Sequence, residues 1–200
     1  MRKNILSLSI GIVAFCAGIV FFDTARAALL YAPDTEMTIP PTEIEVREVS
    51  EGDHPIRLRI PHLEIDAHVQ EVGTNALGNM AAPNNFTDVG WYRYGTPPGF
   101  LGSAVMTGHV DNALALAGVF KHLKELQIDD DVYVTKKEGG ELHFKVTEIQ
   151  TYPYDMVPLD TLFSRHDVPR LNLVTCSGMW LSHERSYDER LIIYTELVDI

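Results

Sequence analysis

Cysteine is nearly absent from this chain: of its 200 residues only Cys16 and Cys176 are cysteine, and Cys16 lies inside an apolar N-terminal run. A lone thiol in the body has no intramolecular disulfide partner, which excludes a disulfide-stapled scaffold. Two readings stay open for Cys176, a small buried apolar residue or a nucleophile. Basic residues are also scarce: 16 Lys and Arg stand against 28 Asp and Glu, for a net charge of -12. They are scattered, whereas a polyanion binder needs clustered cations to release counterions, so nucleic acid is excluded as a partner. No His, Cys, Asp and Glu cluster has zinc spacing. Asp129-Asp130-Asp131 with Glu125 does not form an EF-hand loop and reads as solvated turn acids. His122, His143, His166 and His183 sit in no motif and read as surface residues. Nothing here calls for a metal or cofactor, and no fixed-period repeat is present.

Long apolar runs are limited to one. Ile5 to Phe22 is eighteen residues without a charge, preceded by Arg2 and Lys3 and followed by Asp23. As a helix it covers about 27 Å, enough for a thin hydrocarbon core. Positive charge on its N-terminal side predicts a cytoplasmic N-terminus and an exported body. Ala25-Arg26-Ala27 offers the competing possibility, a cleaved signal peptide, but the run is longer than the usual apolar region of such peptides. The expected organisation is an anchor or signal segment at 1–27, a Pro- and Glu-rich linker at 28–53 and a folded domain at 54–200. Both possibilities put that domain outside the cytoplasm, and the anchor makes it a single-pass protein of the cell membrane.

What the body does contain is 46% apolar and 22% charged residues across the chain, an ordinary globular composition. Short alternating or β-branched runs broken by Gly, Pro, Asn and Asp predict an all-β sandwich or barrel. The expected strands are Ile56 to Ile60, Ala67 to Val72, Ser103 to Thr107, Asp131 to Lys136, Leu142 to Tyr152, Leu171 to Thr175 and Leu191 to Leu197. Gly139-Gly140 predicts a hairpin turn. Helical spacing is confined to Asn112 to Leu126, where one or two short turns would bury Leu114, Leu116, Val119, Phe120 and Leu123 on one side.

Cys176 ends the Leu-rich strand, and His109 follows the strand of Ser103 to Thr107. A thiol of ordinary pKa about 8.5 needs a base or cation nearby to react as thiolate, and histidine can take and return the proton. Arg190 opens the final strand, where a guanidinium suits a developing oxyanion.

Gly108-His109-Val110-Asp111, Val119-Phe120-Lys121-His122-Leu123, Leu173-Val174-Thr175-Cys176-Ser177-Gly178 and Arg190 before Leu191-Ile192-Ile193-Tyr194 resemble, in order and spacing, the sortase cysteine transpeptidases. The resemblance runs from about His54 to the C-terminus. Trp91-Tyr92, the loop Gly95-Thr96-Pro97-Pro98-Gly99-Phe100-Leu101-Gly102 and Gly108-His109-Val110-Asp111 are most similar to class F. It implies a closed eight-stranded β-barrel with one or two short helices, and catalytic roles for His109, Cys176 and Arg190 in one solvent-open cleft. Asn172 replaces the family's usual Thr, a change expected to matter little. Class F chains often carry the arginine at the position of Asp188; Arg190 matches other classes, and Arg185 is the alternative.

The implied activity is cleavage of a sorting signal in secreted proteins through a thioester, with transfer to an amine such as a cell-wall precursor or a pilin lysine. Thr175 and Trp180, with Leu159 and Phe163 from the loop 155–170, are the expected substrate contacts. Trp91 is expected in the core. The rival from another class is a surface peptide-binding or assembly module that keeps the barrel without turnover; a cysteine hydrolase is a second. An L,D-transpeptidase does not fit, because Val174-Thr175-Cys176-Ser177 lacks the Ser-His-Gly-Cys context of that family.

Overall fold

The computed structural model describes residues 50–75, 78–111 and 116–198. The expected anchor or signal segment, the linker up to residue 49 and the start of the expected helical stretch at Asn112 lie outside the described residues. Eight strands follow one another as β1 (Pro55–Ile60), β2 (Ile65–Val72), β3 (Val89–Tyr92), β4 (Gly102–Thr107), β5 (Asp131–Lys136), β6 (Glu141–Pro153), β7 (Pro169–Leu181) and β8 (Ser186–Leu197). They close into one barrel in the order β1-β2-β3-β4-β7-β8-β6-β5. The pairs β2–β3 and β4–β7 are parallel. Closure removes the free edges that a sheet of this size would otherwise present.

Period-two alternation sets what fills the barrel. Leu171 and Leu173 of β7 point inward with Ala104 and Met106 of β4 and Leu191 and Ile193 of β8, meeting Leu58, Trp91, Val134 and Phe144 in the central core. Trp91 is buried there, as its sequence context predicted. Val174, Val105, Ile192 and Tyr194 take the opposite face and form a second apolar cluster with Tyr92, Leu162 and Phe163. Strands buried on both faces read as continuous apolar runs rather than alternating ones, which is why β4, β7 and β8 stand out in the sequence.

Four departures from the expected elements have physical reasons. β3 was not expected: it is four residues long, contains Gly90 and is buried at every position, so it shows no alternation. β7 and β8 extend past their expected ends to Leu181 and back to Ser186, because a bulge between Ser177 and Trp180 lets pairing resume. Of the helical stretch Asn112 to Leu126, the described part holds only a 3-10 turn at Leu123–Glu125. Phe120, Leu123 and Leu126 still bury one side of that segment, through turns instead of a helix. Among the described residues one α-helix, α1 (Leu159–Phe163), lies in the segment expected to be a loop. Docking holds it: Leu162 is fully buried, and Asn172 Nδ2 donates to the Leu162 carbonyl at 2.7 Å.

The Gly139-Gly140 turn joins β5 to β6 with φ of +91° and +87°, the positive values glycine adopts without strain. Residues 50–53 fold back on this hairpin. The Lys137 amide donates to the His54 carbonyl at 2.9 Å, the Glu138 amide to the Gly52 carbonyl at 3.1 Å, and Lys136 Nζ pairs with Asp53 at 3.1 Å.

Candidate active site

Strand register brings the predicted thiol and guanidinium together. In the antiparallel β7–β8 pair Cys176 lies directly opposite Arg190, which sets their Cβ atoms about 4.5–5.5 Å apart on one face. The histidine arrives from the other side of β7. β4 runs parallel to β7 with Thr107 level with Val174, and the Gly108 amide continues the ladder to the Val174 carbonyl at 3.2 Å. His109 follows directly after Gly108, just past the end of β4, and Cys176 stands two residues beyond Val174 on β7. Cys176 and Arg190 share the outer face of the barrel with Val174 and Ile192.

Each group is held by named contacts. His109 Nε2 lies 3.1 Å from the Pro83 carbonyl, an acceptor only, so this nitrogen carries a proton and donates it. The His109 carbonyl accepts from the Phe120 amide at 2.9 Å, and the returning chain passes so close that a Cβ on Gly118 would stand 2.2 Å from that oxygen. Arg190 Nη1 donates to the carbonyls of Tyr187 at 2.9 Å and Glu189 at 2.8 Å, and Nη2 to Ser186 Oγ at 2.9 Å. These three acceptors fix the guanidinium of the residue that pairs with Cys176 across the β7–β8 ladder.

The three residues lie on neighbouring elements of one rim, but the expected open cleft is nearly closed. Cys176 is 7%, His109 5% and Arg190 3% exposed. Pro83 is itself buried and its carbonyl sits on the imidazole, so the segment between β2 and β3 covers this side of the site. Farther down β7, in the cluster around Val174 and Leu162, burial raises the Tyr92 and Tyr194 hydroxyls above the ordinary phenol value.

The expected substrate contacts separate. Thr175 alternates away from the Cys176 face, and its hydroxyl donates to the Gly108 carbonyl at 2.8 Å, tying β7 to the residue before His109. Trp180 stands on β7 beyond the bulge, not in a loop, and is 45% exposed with its ring edge-on to Tyr187 at 5.3 Å. Leu159 opens α1 and is partly buried, while Phe163 packs edge-on against Tyr92 at 5.6 Å. Arg185, the alternative arginine, sits exposed in the β7–β8 turn with φ +52°. Asp188 Oδ1 accepts from the Met179 amide at 2.6 Å and so fixes the bulge.

Sequence reasoning missed Pro83, Ser186 and Tyr187. Pro83 and Tyr187 take part through their carbonyls and Ser186 through its hydroxyl, which no recognisable motif encodes. Asp130 and Asp131, read as turn acids, hold His62 at 2.7 Å and Lys145 at 2.8 Å respectively. Among the described residues no group of three or more His, Cys, Asp or Glu side chains could hold a metal ion.

The barrel and its rim define a fold class on comparison with solved structures. Sortase C-1 from Actinomyces oris superposes with a TM-score of 0.58 at 19% identity, covering 86% of this chain and 91% of that one. A Clostridium perfringens sortase D5 transpeptidase gives 0.56 at 20% identity over 76% of this chain and 83% of that one. Sortase A from Corynebacterium diphtheriae gives 0.55 at 21% identity over 72% of this chain, which spans only 60% of that protein. These likenesses establish a sortase-type barrel. The sortase-domain family profile matches residues 58–198, and the chain belongs to the sortase family, whose members are generally cysteine transpeptidases. None of the curated proteins compared matches the sequence.

Proposed function

We propose that this protein is a sortase most like class F, anchored in the cell membrane by its 1–27 segment with the catalytic domain outside the cytoplasm. It cleaves a C-terminal sorting signal in secreted proteins and transfers the product to an amine, a cell-wall precursor or a pilin lysine. The observation that carries the reading is the register pairing of Cys176 with Arg190, with His109 just past the end of β4, the strand on the other side of β7.

Cys176 Sγ, as thiolate, attacks the carbonyl carbon before the scissile bond. Arg190 steadies the oxyanion. The C–N bond then breaks, His109 gives a proton to the departing amine, and a thioester remains on Cys176. With Nε2–H engaged by Pro83, Nδ1 is the nitrogen that exchanges this proton. In the second half the acceptor amine attacks the thioester carbonyl, loses its proton to His109, and the thiolate departs as the amide forms. The class F assignment is supported by the segments Trp91-Tyr92, 95–102 and Gly108-His109-Val110-Asp111. Arg190 opposite Cys176 serves where Asp188 occupies the position at which class F chains often carry arginine.

The test incubates the full-length protein with a library of sorting-signal peptides and reads intact mass. An acyl adduct maps to Cys176, is absent in Cys176→Ala, and passes to added amine in preference to water. Unchanged turnover in Cys176→Ala ends the enzyme reading, and adducts that go only to water make the protein a hydrolase.

A further inference from the structure

Asp111, in the motif that carries His109, has a partner far along the chain. The Tyr187 hydroxyl lies 2.7 Å from both Asp111 Oδ1 and Oδ2, across 76 residues of sequence. Lys121 Nζ lies 3.2 Å from Oδ2, and the carboxylate is 13% exposed, so the contact is largely shielded from water. A phenol has one proton, which straddles the two carboxylate oxygens; such a bond to a charged acceptor is among the stronger kinds.

The two ends of this contact lie on the two elements that supply the reactive groups. Asp111 follows His109 by two residues, on a segment pinned by its bridge to Ala117 and by the Gly118 amide donating to the Val110 carbonyl at 3.0 Å. Tyr187 is the second residue of β8, three residues before Arg190, and its own carbonyl accepts from Arg190 Nη1 at 2.9 Å. Trp180 from β7 meets its ring edge-on. One side chain thus touches the histidine segment through its hydroxyl and the arginine through its peptide oxygen.

We propose that Tyr187 and Asp111 are positioning residues, a strut that sets the β7–β8 hairpin, with Cys176 and Arg190, at a fixed distance from His109. The inference rests on the roles proposed above for those three residues. Without the strut the barrel stands, since its ladders lie elsewhere, but the thiol loses its alignment with imidazole and guanidinium.

Alkylation of Cys176 by iodoacetamide at pH 7 in the full-length protein tests this without a substrate, read at the Cys176 peptide by mass spectrometry beside a thermal melt. Tyr187→Phe and Asp111→Ala slow alkylation about tenfold, the low end for one hydrogen bond to a charged group, while the melting temperature falls by only a few degrees and both variants stay folded at the assay temperature. The double variant is no slower than either single one, because both break the same contact. Asp111→Asn keeps an acceptor oxygen and recovers most of the rate. Alkylation of Tyr187→Phe within twofold of the wild type, an Asn variant as slow as Ala, or losses that multiply in the double variant would each overturn the strut. Failure of the transpeptidase reading shows elsewhere, as a wild type that alkylates readily yet forms no adduct with sorting-signal peptides.

Discussion

Gly178 shows how tightly single residues govern the rim. Its φ is +81°, and a Cβ there would lie 2.1 Å from Asp188 Oδ1, the oxygen that accepts from the Met179 amide. Gly178→Ala adds left-handed strain to that clash and is expected to cost roughly 1–3 kcal/mol, visible as a lower melting temperature. Asp188→Asn keeps an acceptor and should melt near the wild type. Asn172, which sequence reasoning dismissed, behaves differently. Its Nδ2 holds the carbonyl of Leu162 in α1, but its buried Oδ1 has no hydrogen-bond partner. Asn172→Ala therefore loses one bond, about 1 kcal/mol, and relieves an orphaned acceptor of similar cost. Its melting temperature should barely move while amide exchange in 159–163 accelerates; equal protection of α1 in both proteins would show that the bond does not dock the helix. The placement of Cys176 and His109 after the apolar strands of the barrel was legible, because each closes an apolar run in the sequence. The choice of Arg190 over Arg185 was not, because only the β7–β8 register puts one opposite Cys176 and the other in a solvent-facing turn.

At the scale of elements, what was legible followed burial. Strands that fill the barrel from both faces announced themselves as apolar runs, and the glycine pair announced the β5–β6 turn. β3 is too short to show a period, and α1 has helical form only because Leu162 has the barrel to dock on. The start of β7 carries a further device no pattern predicts. Arg170, buried on β7, donates to Asp167 at 2.9 Å and to Glu196 on β8 at 2.9 Å. The Arg170 guanidinium first, and then Arg165, hold the Asp167 carboxyl well below the ordinary carboxylate range. A depressed acid contributes stability that is complete above its unfolded value, about 3.9, and is lost progressively as pH falls toward the native value. Asp167→Asn should thus melt below the wild type at pH 6, and the gap should close on acidification below about pH 4. A gap that stays constant to pH 2.5 would remove the ion pair as its cause.

For the whole molecule, strand direction assigns the two ends of the barrel different work. β7 runs from Pro169 to the rim that holds Cys176, and β6 ends at that same rim, with Tyr152 opposite Arg190. β5 ends and β6 begins at the other rim, where the Gly139-Gly140 turn meets residues 50–53. The chain therefore enters the barrel at the rim away from the reactive groups. If the 1–27 segment sits in a membrane, as proposed, the rim that holds Cys176 would face away from it, toward the proposed substrate and acceptor. The expected domain start at residue 54 leaves out the contacts of Gly52 and Asp53 with the β5–β6 hairpin. A chain beginning at Ser50 should melt a few degrees above one beginning at Pro55, since the shorter one leaves two hairpin amides and Lys136 without their partners at about 1 kcal/mol each. Because those contacts lie at the opposite rim, iodoacetamide should reach Cys176 at the same rate in both. A truncation that slows or hastens alkylation along with the loss of stability would show that the two rims are coupled and that the barrel does not insulate its active end from its tether.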